Sequence, residues 1–157
     1  MGHPKKLKKK YKRPLRPFDN LEEEKKILKE YGLKKKVELW RAETELRKIR
    51  RRAMTLLAKK DVKEENILIE KLRKMGINVN NLDDVLKLNV RDLLERRLQT
   101  IVFKKGLSKT IKHARQLIAH GKVKINGRKI PFPSFIVPKE YEDKIVVEFK
   151  DEVDKNA

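Results

Sequence analysis

The sequence contains no cysteine. Disulfides, thiolate nucleophiles and cysteine-bound zinc are excluded together, and the absence suits a reducing compartment. Histidine is nearly absent as well, with only His3, His113 and His120. The last two stand seven apart on one side of a predicted helix, with no third ligand nearby, so no metal site is expected. No apolar run approaches the roughly 20 residues of a membrane-spanning helix. The start, Met1-Gly2-His3-Pro4 followed by lysines, offers no apolar stretch for a signal peptide. Lys6 stands where a myristoylation signal needs Ser or Thr. No membrane partner is therefore expected, and cytoplasm is the expected location. Gly-rich phosphate loops and local Ser-His-Asp signatures are missing. Acids such as Glu43, Glu45, Asp83 and Asp84 alternate with bases or sit at helix starts, as solvated carboxylates do. The expectation is a protein that is not an enzyme and needs no cofactor.

Positive charge is what the chain has in excess. Lys and Arg number 43 against 23 Asp and Glu, giving +20 over 157 residues and a pI near 10.1. Such a surplus must repel itself or face a polyanion. With 38% hydrophobic residues, the chain has material for modest cores only. The charge is unevenly placed. Residues 1–18 form a basic arm with Lys5, Lys6, Lys8, Lys9, Lys10, Tyr11, Lys12 and Arg13, prolines and no acid. Such an arm cannot bury apolar surface, reads as disordered when free, and gains ordering energy beside phosphates. An acidic tail occupies residues 151–157.

Between these ends the periodicity is helical first. Asp19 or Asn20 is placed to cap a helix starting at Leu21, with Glu22, Glu23 and Glu24 in its first turn, and the helix ends near Tyr31-Gly32. A longer helix follows from about Lys36 to Lys60, with Leu39, Ala42, Leu46, Ile49, Ala53 and Leu56 as its inner stripe. A third runs from Val62 to Met75 and stops at Gly76, and a short turn covers Leu82 to Leu86. Asn89 caps the next, whose apolar side Val90, Leu93, Leu94, Leu98 and Ile101 predicts one helix ending before Gly106. Ser108 or Thr110 caps another, with Ile111, Ala114, Leu117 and Ile118 inside. The period then drops to 2 at Val123 and Ile125. Asn126-Gly127 predicts a type I′ hairpin with Arg128 to Ile130 returning. Pro131, Pro133 and Pro138 mark a loop, and Lys144 to Phe149 reads as a closing strand. The chain divides into a helical domain at 19–92 and a second domain at 93–150.

Two faces point to nucleic-acid binding. On the helix from 108 to 120, Lys109, Lys112, His113, Gln116 and His120 lie opposite the apolar stripe, with Arg115 on the flank. Charge for phosphates and donors for bases or 2′-hydroxyls coincide there. No acid occurs between Ser108 and Pro138, whereas a merely solvated surface mixes signs. On the long helix, Trp40, Arg47 and Arg51 share one side and Arg41 and Arg52 a neighbouring row, and the run Arg50-Arg51-Arg52 suits phosphates. Trp40 either stacks on a base among these cations or packs against another helix.

The stretch from Glu95 to Phe149 resembles the RNA-binding module named after the fourth protein of the small ribosomal subunit. The matching pieces are Arg97-Leu98, Gly106, Ser108 to Thr110, Ala114 to Ile118 and Gly121 to Gly127. Lys36 to Arg52 and Leu82 to Gln99 extend the resemblance over nearly the whole chain, to the archaeal and eukaryotic branch of the universal small-subunit ribosomal protein four family. The resemblance implies an α+β fold, a helical N-terminal domain followed by a small two-helix plus antiparallel-strand RNA-binding domain (the alpha-L motif). It implies a structural component of the small subunit and a primary rRNA binder. Such a binder organises a multi-helix junction in the 5′ domain during assembly, near the side where mRNA enters. Expected partners are small-subunit rRNA, neighbouring small-subunit proteins including the fifth, and mRNA at the entrance channel. The cysteine zinc site of some bacterial relatives is not carried over. The residues carried over are Arg96, Arg97, Gln99, Thr100, Lys104, Lys105, Ser108, Thr110, Arg115, Gln116, His120, Lys122 and Asn126, and Arg128 on the return strand joins them. Ser108 and Asn126 have competing roles as a cap and a turn residue. An RNA-modifying enzyme or synthetase fragment would need a catalytic domain for which the helical part has no signature. A free-standing ribosome-rescue factor would not need the Trp-bearing helical region. Charge alone does not separate RNA from DNA.

Overall fold

The structure, a computed structural model, describes residues 10–15 and 20–148. Four helices come first: α1 Leu21–Glu30, α2 Lys36–Lys59, α3 Val62–Lys74 and α4 Leu82–Lys87. They follow the sequence periodicity closely. Leu39, Leu46, Ala53 and Leu56 of the α2 stripe are buried, and Ala42 and Ile49 pack beside them. Asp61 caps α3 by accepting from the amides of Lys63 and Glu64 at 3.1 and 3.4 Å. Asn20 begins α1 without a side-chain cap bond; Asp19, the other candidate, lies outside the described residues. The end of α2 carries no Gly, yet Lys60 adopts φ +53 there.

The single helix expected from Val90 toward Gly106 is two: α5 Val90–Glu95 and α6 Leu98–Lys104. Arg96 and Arg97 break it. Arg97 is extended and pairs with Ile136 in an isolated antiparallel bridge, which turns the chain without a Gly or Pro to announce it. α7 spans Ile111–Ala119, and Thr110 is its cap, accepting from the His113 amide at 3.1 Å. Ser108 instead donates to the Thr110 carbonyl at 3.3 Å. β1 Val123–Ile125 pairs antiparallel with β2 Arg128–Lys129 and with β3 Ile145–Val147, giving the order β2-β1-β3. Asn126 and Gly127 have φ +50 and +79, as a type I′ turn requires. Lys144, expected to open the closing strand, instead ends a 3₁₀ segment at Lys139–Lys144, and β3 begins at Ile145. Phe149 and the acidic tail lie outside the described residues.

Three apolar clusters result. Leu46, Leu56, Leu72 and Val85 centre the first, among α2, α3 and α4. Leu98, Val102, Ala114, Ile118, Val123 and Val137 centre the second, between α6, α7 and the sheet. A small third cluster of Tyr31, Leu33, Leu39 and Leu94 joins α1, α2 and α5. α5 leads from one side to the other, with Leu93 in the first cluster and Leu94 in the third.

Candidate RNA interface

α7 turns its apolar stripe to the core and leaves Lys112, Gln116 and His120 exposed. Opposite them stands the turn between α1 and α2. Between the two lies an open cleft of about 580 Å³, edged by Lys29, Lys34, Lys112, Arg115, Gln116 and His120. No carboxylate lines it among the described residues. Gly32 brings the walls together. Its φ is +58, and a Cβ there would stand 2.8 Å from Gln99 Nε2 and 2.9 Å from Ile111 Cγ2. Gln99 Nε2 donates to the carbonyls of Gly32 at 3.2 Å and Ile111 at 3.0 Å, stitching the turn to the start of α7. Lys29 and Lys34 were not among the residues expected from sequence. The run Lys34-Lys35-Lys36 after Gly32 was the available signal.

Arg115 has a more internal position than its sequence context suggests. It donates to both Glu38 oxygens, at 2.9 and 3.1 Å, and Arg97 donates to the same carboxylate at 2.6 Å. Burial works to raise the pKa of Glu38, but the hydrogen bonds and charges of Arg115 and Arg97 outweigh it and hold the carboxyl below its ordinary value. The Arg115 side chain stays 27% exposed, at the boundary of the cleft, while Arg97 is 6% exposed and enclosed. Gln99 and Thr100 are buried too, Thr100 donating to the Leu94 carbonyl at 2.9 Å. Arg96 reaches the carbonyls of Met75 and Val137 at 2.9 and 3.1 Å and the Glu142 carboxylate at 2.9 Å. Arg96, Arg97, Gln99 and Thr100, expected from sequence at an RNA surface, make internal bonds that fix the helical part against α6 and α7. Most of their donors are engaged within the protein, whereas Arg97 Nε is enclosed without a partner among the described residues.

Other candidates divide the same way. Lys104 pairs with Glu95 at 3.3 Å and Lys105 with Asp143 at 3.1 Å, both at the surface. Ser108 is buried. His113 is half-buried, its Nδ1 enclosed and without a partner among the described residues. Lys109, Asn126 and Arg128 are exposed and Lys122 is half-buried. On α2, Arg41, Arg47, Arg51 and Arg52 are exposed, whereas Arg50 turns inward and donates to the Leu88 carbonyl.

Of the two roles open to Trp40, the structure takes packing. The ring is 9% exposed, and its Nε1 donates to Glu24 at 3.3 Å. Lys36 pairs with the same carboxylate at 2.8 Å. The arm covers the rest. Tyr11 lies with its ring 6.1 Å from Trp40, and the Arg13 guanidinium stands 5.9 Å over it. The Lys12 amide donates to Thr44 Oγ1 at 3.1 Å. The expectation of a free arm is therefore corrected at Tyr11, Lys12 and Arg13, because Tyr11 supplies apolar surface that the lysines lack. Lys10 is exposed; Lys5, Lys6, Lys8 and Lys9 lie outside the described residues.

The arrangement suits anion binding by a rigid basic surface better than chemistry. No group of three metal-ligating side chains occurs among the described residues, nor any helix long and apolar enough to cross a membrane. Comparison with known proteins agrees with the basic module. The model of the S4 domain matches residues 96–143. Small ribosomal subunit protein uS4 of Ignicoccus hospitalis is 49% identical over 152 residues, covering 92% of each chain. The protein of the same name from Picrophilus torridus is 46% identical over 155 residues, covering 92% of this chain and 85% of its own.

Proposed function

The chain belongs to the uS4 family of small ribosomal subunit proteins, and from that premise we propose that it binds small-subunit rRNA as a primary binder. It is a structural ribosomal protein with an S4 RNA-binding domain, not an enzyme. In the proposed role it organises a multi-helix junction in the 5′ domain during subunit assembly, near the side where mRNA enters, beside the fifth small-subunit protein and in the cytoplasm. The helical unit at 19–92 and the RNA-binding unit at 93–150 each supply one wall of the site. The observation that carries the reading is the cleft between α7 and the α1–α2 turn. Cations from both units line it without a carboxylate among the described residues, so one branched RNA can neutralise both walls at once. Phosphate contacts from Lys29, Lys34 and Lys112 supply affinity, and Gln116 and His120 offer donors to 2′-hydroxyls or base edges.

Full-length protein titrated with a 5′-domain rRNA fragment and with duplex DNA, over a range of salt, tests this. Engagement of six to ten phosphates predicts a fall in affinity of roughly three to five orders of magnitude between about 50 and 200 mM salt. The double variant Lys34→Ala, Lys112→Ala should reduce the logarithmic salt slope by about 2. Equal affinity for the junction and for duplex DNA, or a salt-independent affinity, would refute the reading.

A further inference from the structure

The loop after β2 carries an aromatic that the cleft does not use. Phe132 is 64% exposed, and a single exposed apolar ring is unremarkable by itself. Its mount is what separates it from that background. Pro131 and Pro133 fix the backbone φ on both sides, and Phe132, preceding a proline, is held to extended conformations. The loop is then bonded to the start of α6. The Leu98 amide donates to the Phe135 carbonyl at 2.7 Å and the Gln99 amide to the Pro133 carbonyl at 3.4 Å. The Phe135 amide closes back on the Phe132 carbonyl at 3.1 Å, and the Val137 amide on the Arg96 carbonyl at 3.0 Å. The first two bonds occupy amides at the start of α6 that have no partner inside their own helix. The ring is therefore presented on a braced loop, and a ligand need not order the backbone to use it.

The surroundings select the ligand. Pro133 and Ser134, next along the chain, edge a second cleft of about 490 Å³ whose rim includes Lys10, Lys35 and Arg41. Its two carboxylates are occupied, Glu38 by Arg97 and Arg115 and Glu45 by Lys48 at 2.9 Å. Arg128 and Lys129 are exposed on β2 just before the loop. A flat apolar face beside cations that have no carboxylate partner among the described residues matches a nucleotide, which offers a base face and a phosphate together. It matches a protein partner less well, since Phe135, the other exposed ring of the loop at 37%, adds modest apolar area and the flanking exposed side chains Arg128 and Lys129 are cations.

We propose that Phe132 is the stacking platform for one unpaired base of the bound RNA, with a neighbouring phosphate of that nucleotide in the cleft edged by Lys10, Lys35 and Arg41. The proposal rests on the rRNA-binding reading. It is tested with full-length protein and the 5′-domain rRNA fragment, by filter binding and by chemical probing of base reactivity. Phe132→Ala should weaken binding by roughly tenfold and restore the reactivity of a single nucleotide. It should leave the salt slope unchanged, because a ring neutralises no phosphate. Phe132→Tyr should retain both affinity and protection. Wild-type binding with Phe132→Ala equal to it in affinity and probing pattern would overturn the proposal while leaving the broader reading intact. Unchanged RNA binding with loss of a neighbouring small-subunit protein would assign the ring to that protein and also overturn it. A wild-type protein that ignores the fragment would overturn both readings.

Discussion

Glu38 sits between two guanidinium groups from different parts of the chain, Arg97 at the start of α6 and Arg115 on α7. Removing its charge leaves an enclosed Arg97 without a counter-ion, which is more costly than losing an exposed ion pair. Glu38→Gln should lower stability by roughly 2 to 3 kcal/mol, a fall in Tm of roughly 5 to 10 °C for a chain this size. Acid should erase the difference. Because the carboxyl is held below its ordinary value in the folded protein, its contribution is fully present above the unfolded value of about 4.3. It is lost as pH falls through the lower folded value. The gap in Tm between wild type and Glu38→Gln should therefore be constant near neutrality and narrow below about pH 4.3. A gap that stays constant into strong acid would show that Glu38 is not held ionised by the two arginines.

Helix α7 is nine residues long, short enough that its cap matters and its position depends on packing. Thr110→Ala removes the bond to the His113 amide and should cost about 1 kcal/mol, with faster amide exchange in the first turn. Ser108→Ala should leave that exchange unchanged, because the Ser108 hydroxyl donates to the Thr110 carbonyl instead of capping. If Ser108→Ala had the larger effect on the first turn, the cap would be misassigned. Elements of this kind were largely legible in the sequence. The α2 stripe, the Asn126-Gly127 turn and the outer face of α7 follow from period and turn chemistry. The break at Arg96 and Arg97 was not, because a helix can be interrupted by a tertiary pairing that local propensity does not encode. Inward bonding within the site is hidden from the sequence for a similar reason. Arginine looks alike in sequence whether it meets solvent or a buried carboxylate, so Arg96, Arg97 and Arg50 read as surface cations. Lys29 and Lys34 gained importance only when Gly32 brought their turn against α7.

For the whole molecule, the question is how a chain of net charge +20 presents its cations to a single ligand. Glu38 holds Arg97 and Arg115, Glu142 holds Arg96 and the Leu88 carbonyl holds Arg50, and the remaining positive charge is left on the α7 cleft, the outer side of α2 and the basic arm. The arm is anchored where Tyr11 and Arg13 meet Trp40, the chain's single tryptophan. Two truncations separate anchoring from charge. Deleting residues 1–9 removes Lys5, Lys6, Lys8 and Lys9 but keeps Tyr11 and Arg13. RNA affinity should fall and its logarithmic salt slope decrease by up to about 3 to 4, with tryptophan emission unchanged. Deleting residues 1–17 also uncovers one face of Trp40. The emission should then shift to the red, while preference for the junction over duplex DNA is retained because the cleft is untouched. An unshifted emission would mean that Tyr11 and Arg13 do not cover the ring in solution. Loss of preference with either truncation would place shape recognition in the arm, and the cleft between α7 and the α1–α2 turn would be reduced to a phosphate contact.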